Sequence, residues 1–137
     1  MNKYSNKYDE FISISLEDGK TGAGVARNEG LRNASSKYVM FTDSDDFYEI
    51  NACETMYNVI EEQKTDFATF NYRNADEDGT PWENPIFKLD VYENMQLDIT
   101  DYDKSFYVMN SSVCNKIFNR EFLLKNNIST IPHSPVI

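Results

Sequence analysis

The chain has 137 residues and a mass of 15.9 kDa, enough for one domain with a real core, since 40% of its residues are hydrophobic and 14% aromatic. Thirteen Lys and Arg against 23 Asp and Glu leave a net charge of −10, a field that repels nucleic acid and anionic membranes. No apolar run approaches the roughly 18 residues of a membrane span, and the first ten residues are polar and unlike a signal peptide.

Residues 11–16 (FISISL) alternate apolar and polar, which predicts a short strand. Asp18-Gly19 and Gly22 break it, and Thr21 or Gly22 stands where the next helix needs a cap. Over residues 23–34, Ala23, Ala26, Gly30 and Ala34 recur at helical spacing. That stripe predicts a helix lying close against a sheet through its small residues. Residues 38–42 (YVMFT) are near-continuously apolar and predict a strand buried on both faces. Cys53, Met56, Tyr57 and Ile60 predict an amphipathic helix over 50–63, and residues 66–72 (DFATFNY) predict another strand.

Strand and helix therefore alternate, the βαβ logic of an α/β domain with a largely parallel sheet. Residues 74–85, punctuated by Gly79, Pro81 and Pro85, predict a loop; 86–92 predict a strand, and 94–106 fit neither pattern. A strand over 113–118 and a short helix over 120–126 follow, then a tail over 127–137 whose prolines forbid helix. Cys53 and Cys114, with no secretory signal, predict buried thiols in a reducing compartment, and a lone His133 completes no zinc-spaced cluster.

Asp43-Ser44-Asp45-Asp46 is the conspicuous chemical feature. In extended backbone, residues two apart point to the same side, so Asp43 and Asp45 present carboxylates together. They end a predicted strand, where open α/β sheets bind ligands. Clustered carboxylates repel one another, and a hard divalent cation relieves the repulsion and suits a diphosphate. The same four residues serve equally well as a turn or a helix cap.

Three segments stand in a telling order: Gly24-Val25-Ala26-Arg27-Asn28-Glu29-Gly30-Leu31 with Ala34; Tyr38-Val39-Met40-Phe41-Thr42-Asp43-Ser44-Asp45-Asp46; and Asn115-Lys116-Ile117-Phe118-Asn119-Arg120-Glu121-Phe122-Leu123. Over about residues 20–126 this resembles the family-2 glycosyltransferases of the GT-A fold. The resemblance implies a Rossmann-like, largely parallel sheet with flanking helices. It also implies metal-dependent transfer of a sugar from a nucleotide-diphosphate sugar, a UDP-sugar foremost, to a glycan acceptor. Asp43 and Asp45 match the family's DxD motif, which holds Mn²⁺ or Mg²⁺ against the diphosphate. Asp45 is the direct metal ligand in that reading, and Asp43 faces the ribose or orients the site. Arg27 and Asn28 match the A-R-N signature on the nucleotide side. The alternative for Arg27 is a surface arginine paired with Glu29 or Asp46. The family's usual setting is cytoplasmic, in the assembly of bacterial surface polysaccharides.

Two parts of the family pattern are not found. No Pro-x-Tyr/Phe-Asn turn and no Asp-Asp-Gly-Ser-like strand end precede Phe11, and no Asp or Glu follows Glu121 to serve as the base on the acceptor. The chain is therefore expected to be a single partial domain over 1–137, inactive alone, with its catalytic residue unassigned. The competing readings are a non-catalytic, oligomerising remnant that binds at most a divalent cation, and an acidic interaction module whose aspartates only cap. A sheet without its first strands exposes an edge, which predicts a homodimer or larger oligomer; a monomer at 15.9 kDa in light scattering contradicts this. Trp82 either stacks on a sugar or anchors its loop. Lys116 faces a phosphate or solvent, while His133 and Glu61-Glu62 read as surface.

Overall fold

A computed structural model describes residues 2–17, 19, 21–82 and 112–130. In chain order these carry α1 (Asn2–Ser5), α2 (Ala23–Asn33), β1 (Tyr38–Met40), α3 (Ala52–Gln63), β2 (Phe67–Thr69), β3 (Asn74–Ala75), β4 (Pro81–Trp82), β5 (Lys116–Asn119) and α4 (Arg120–Lys125). They fall into two compact units, Met1–Val39 with Arg120–Ile137, and Met40–Asn119. The segments predicted at 86–92 and 94–106, Asp18, and the tail with His133 lie outside the described residues.

In the first unit, α1 is a single turn that the polar opening did not announce. Phe11 stacks on Tyr4 with ring centroids 5.8 Å apart and lies 5.9 Å from Tyr8. The strand expected at 11–16 does not form among the described residues. No ladder partner among the described residues holds it, and the alternation survives there as half-buried Ile14 and Leu16 between exposed Ser13 and Ser15. Helix α2 starts from Gly22 at φ 101° and ψ 152°, a region that a Cβ makes costly. Its buried residues are Gly24 and Leu31, whereas Ala23, Ala26 and Gly30 face solvent. Three of the four stripe residues thus face outward and Ala34 is half-buried, while Leu31, the largest apolar side chain of the helix, fixes the inward side.

Helix α4 ends in a Schellman motif. Asn127 adopts φ 54°, Ile128 N–H reaches Leu123 O at 2.9 Å, and Asn127 N–H reaches Leu124 O at 3.2 Å. Asparagine tolerates this left-handed conformation better than other side-chain-bearing residues, so it turns the chain where glycine usually would. Leu123 is buried on the inner side of α4.

The second unit takes the last residue of β1 and carries a three-stranded sheet of order β1-β5-β2. Strand β2 pairs antiparallel with β5, with Phe67 opposite Phe118, Ala68 opposite Ile117 and Thr69 opposite Lys116. Hydrogen bonds from Phe70 N to Asn115 O (3.0 Å) and Asn119 N to Asp66 O (2.8 Å) extend this ladder at both ends. The α/β expectation stands, and the ladder described here adds an antiparallel strand to it. A strand–helix–strand crossover left a place between β1 and β2, and β5, arriving from far along the chain, fills it running opposite to β2.

Against this sheet α3 buries Met56 and Ile60, Ile60 being only 1% exposed. Its inward seam runs through Ala52, Met56 and Ile60, so Cys53 and Tyr57 turn outward. Cys53 is exposed and Cys114 half-buried, both as free thiols, which corrects the expectation of two buried ones. Residues 74–82, expected to be loop, form a small hairpin, with Asn74 opposite Trp82 and Ala75 opposite Pro81. Its turn is closed by Gly79 at φ 83° and by Asp78 Oδ1, which accepts from Thr80 N–H at 2.9 Å. The Thr80 side chain first, and this backbone N–H second, hold the Asp78 carboxyl below its usual range.

Candidate functional site

The candidate residues lie in both units. Strand β1 ends at Met40, and the chain then turns through Asp43-Ser44-Asp45-Asp46, with Asp46 N–H donating to Asp43 O at 3.2 Å. This is a tight turn, so Asp43 and Asp45 are not successive same-side positions of a strand. Asp45 and Asp46 are exposed and Asp43 is half-buried. The side chains brought together are those of Asp43, Asp46 and Cys114, whose ligand atoms all lie within 4.8 Å of one another. The sequence pattern pointed to the Asp43–Asp46 cluster with Asp45 and Asp43 as its ligands; Asp45 is not in the gathered group, Asp46 takes its place, and Cys114 was not foreseen. Cys114 lies 68 positions beyond Asp46, and only the β5 pairing brings it near.

Two carboxylates at this spacing suit a hard divalent cation such as Mg²⁺ or Mn²⁺, whereas a thiol is a softer donor that such ions take poorly. The fit to the group is therefore through Asp43 and Asp46, with Cys114 at its margin.

Tyr48 is a second residue that sequence reasoning missed. Its hydroxyl lies in hydrogen-bond reach of Phe41 O and, at 3.1 Å, of Cys114 O, the two carbonyls sharing one proton. Its ring meets Phe70 edge-on at 5.9 Å. Burial, with the nearby acidic groups Cys114, Cys53, Asp46 and Asp43, pushes the phenol up to about 12, so it stays a donor through neutral pH.

The Asn115-Lys116 pair turns inward. Both residues are buried at 5% exposure. Asn115 Nδ2 donates to Phe70 O at 3.1 Å, and its Oδ1 accepts from Lys116 Nζ at 2.9 Å. Lys116 Nζ also donates to Ser112 O, and Cys114 N–H donates to Ser112 Oγ at 3.1 Å. Lys116 is thus neither solvated nor turned outward to a phosphate. It ties down the 112–115 turn, and for that reason the strand starts at Lys116 and not at 113. Burial holds its ammonium pKa below the usual lysine range.

In the first unit, Arg27 and Asn28 are half-buried on α2. Asn28 is committed to Thr130: Nδ2 donates to Thr130 O at 2.8 Å, while Oδ1 accepts from Thr130 N–H at 2.9 Å and lies 2.8 Å from Thr130 Oγ1. Thr130 Oγ1 also lies 2.9 Å from Gly24 O. Glu29, offered as a partner for Arg27, instead pairs with Arg32 one turn on. Trp82 is about half exposed at the end of β4.

A model of the family described as "Glycosyl transferase family 2" matches residues 1–125. The chain belongs to this family. As a family-2 glycosyltransferase chain, its helices and small sheet are those of a partial α/β GT-A fold. It is similar to a poly(ribitol-phosphate) beta-glucosyltransferase of Bacillus spizizenii, 26% identical over 97% of this chain and 20% of that protein. It is also similar to a cholesterol galactosyltransferase of Borreliella burgdorferi, 30% identical over 92% of this chain and 37% of that protein. A third relative, glycosyltransferase GlyA of Streptococcus pneumoniae, is 33% identical over 68% of this chain and 13% of that protein. The family-2 chain thus spans between 13% and 37% of the length of these relatives. No helix among its described residues is long and apolar enough to cross a membrane.

Proposed function

We propose that the chain forms the donor-binding part of a metal-dependent glycosyltransferase that takes a sugar from a nucleotide-diphosphate sugar, a UDP-sugar foremost, for transfer to a glycan acceptor. The observation that carries this reading is the acidic turn after β1, where carboxylates of one short segment gather beside the 112–115 turn. In this reading Asp43 and Asp46, the gathered carboxylates, hold Mn²⁺ or Mg²⁺, and Asp45, exposed on the same turn, is the further ligand that the DxD resemblance adds. The cation supplies Lewis-acid neutralisation of the leaving diphosphate. Arg27 supports the nucleotide through guanidinium donors, on the strength of its place in the A-R-N segment. Asn28 keeps that segment in place by its bonds to Thr130.

No residue is assigned as the base on the acceptor, and donor binding without turnover is what we expect of the chain alone. The poly(ribitol-phosphate) in the name of the Bacillus spizizenii relative favours a polymeric acceptor, and the family's usual setting places its assembly on the cytoplasmic side. We also propose a homo-oligomer that covers exposed apolar side chains such as Ile12 and Phe47, 71% and 69% exposed. Light scattering should return a mass above one chain.

The donor reading is tested by thermal melting. UDP with Mn²⁺ should raise the midpoint of the wild-type chain and leave those of Asp43→Asn and Asp45→Asn unchanged. Equal shifts in all three proteins would remove the acidic turn from the site.

A further inference from the structure

Phe41 and Cys114 are 73 positions apart in sequence, yet one hydroxyl serves both of their carbonyls. Phe41 lies two residues before Asp43, and Cys114 is itself a member of the acidic group. Tyr48 follows the same turn two residues after Asp46, so it closes a short loop over Asp43-Ser44-Asp45-Asp46 and fastens that loop to the 112–115 turn. Its ring is held from the other side by Phe70, the residue that continues β2 and whose carbonyl accepts from Asn115. The far end of the 112–115 turn is fixed separately, by Lys116 on Ser112 O.

We infer that Tyr48 is a positioning residue, a hydroxyl latch that sets the spacing of the Asp43 and Asp46 carboxylates by tying their turn to the backbone at Cys114. The effect on metal and donor rests on the reading proposed above; the latch itself does not. Without the hydroxyl, Phe41 O and Cys114 O lose a donor, and nothing else described joins these two carbonyls. The Phe41 ring still meets Phe118 edge-on and β1 still neighbours β5, but the two turns beyond these strands lose their direct tie and gain freedom relative to one another. Carboxylates with variable spacing bind a cation more weakly, because the ordering cost falls on binding instead of folding.

The test has two readouts in a Cys53→Ser background, so that Cys114 carries the only thiol. The first is the rate at which a thiol reagent labels Cys114, which reports on the latch with or without metal. The second is Mn²⁺ affinity from water-proton relaxation. Tyr48→Phe keeps the ring against Phe70 and removes one oxygen. It is expected to raise the labelling rate at least fivefold and to weaken Mn²⁺ about tenfold. Ile60→Val, which destabilises the core without touching the latch, should leave the labelling rate at the wild-type value. Faster labelling in Tyr48→Phe with no Mn²⁺ binding in any protein upholds the latch and removes the metal reading. Unchanged labelling in Tyr48→Phe, or an equal rise in Ile60→Val, overturns the latch whatever the metal does.

Discussion

Two motifs of equal weight in the sequence meet different fates in the structure. In the A-R-N segment the asparagine spends both side-chain polar atoms on Thr130, and the helix is anchored by it. In the D-S-D-D segment the backbone closes its own turn while Asp45 and Asp46 face solvent. The polar residue consumed by backbone partners does structural work, and carboxylates left at a surface turn keep their capacity for a ligand. The Asn115-Lys116 pair belongs with the first kind, since burial and internal bonds account for both side chains.

Substitutions should separate the two kinds by stability. Asn115→Ala removes donors and acceptors from Phe70 O and a buried ammonium, and should cost about 2–4 kcal/mol in urea unfolding. A smaller loss, about 1–3 kcal/mol, is expected for Asn28→Ala, which strands the Thr130 backbone groups. A cost near zero at Asn28 would mean that its bonds are dispensable and that the A-R-N asparagine is as free for a ligand as the carboxylates of the acidic turn.

Tyr48 gives a pH-dependent version of the comparison. Its phenol rises from 10.0 to about 12 on folding, so the unfolded chain loses this proton first. The contribution is fully present below pH 10 and is lost as pH rises towards 12, about 1 kcal/mol once solvent screening of a partly exposed group is allowed for. The difference between wild type and Tyr48→Phe isolates it from other groups, including Lys116, whose lowered pKa acts with the opposite sign below 10.5. A difference that stays flat from pH 9 to 12 would contradict the burial assigned to the hydroxyl. The smallest stability effect belongs to Asp45→Ala, within about 0.5 kcal/mol of wild type, although it should abolish metal-dependent UDP binding.

Periodicity and breakers made most elements legible. Helices α2 and α3, the strands after them and the short helix after Arg120 lie where apolar spacing put them, give or take a few residues. Facing was harder to read. The Ala23, Ala26 and Gly30 stripe and the Cys53, Tyr57 row both lie outward, because the fully apolar Leu31, Met56 and Ile60 took the core while the Tyr57 ring, with its polar hydroxyl, stayed exposed. Strand direction was not legible either, since βαβ spacing says nothing of a distant strand inserting between two earlier ones. The strand at 11–16 failed for a related reason: alternation describes a face but supplies no partner ladder.

The acidic turn itself was readable from Asp43 to Asp46. Its wider group was not, because the contributions of Cys114 and Tyr48 depend on long-range pairing and on one hydroxyl between two carbonyls.

The most direct measurement is a calorimetric titration of UDP into the wild-type chain, first with Mn²⁺ and then with EDTA. Saturable heat that requires Mn²⁺ is the predicted result, and it would make the acidic turn a working donor site. Binding of equal strength in EDTA, or no heat in either buffer, would contradict it.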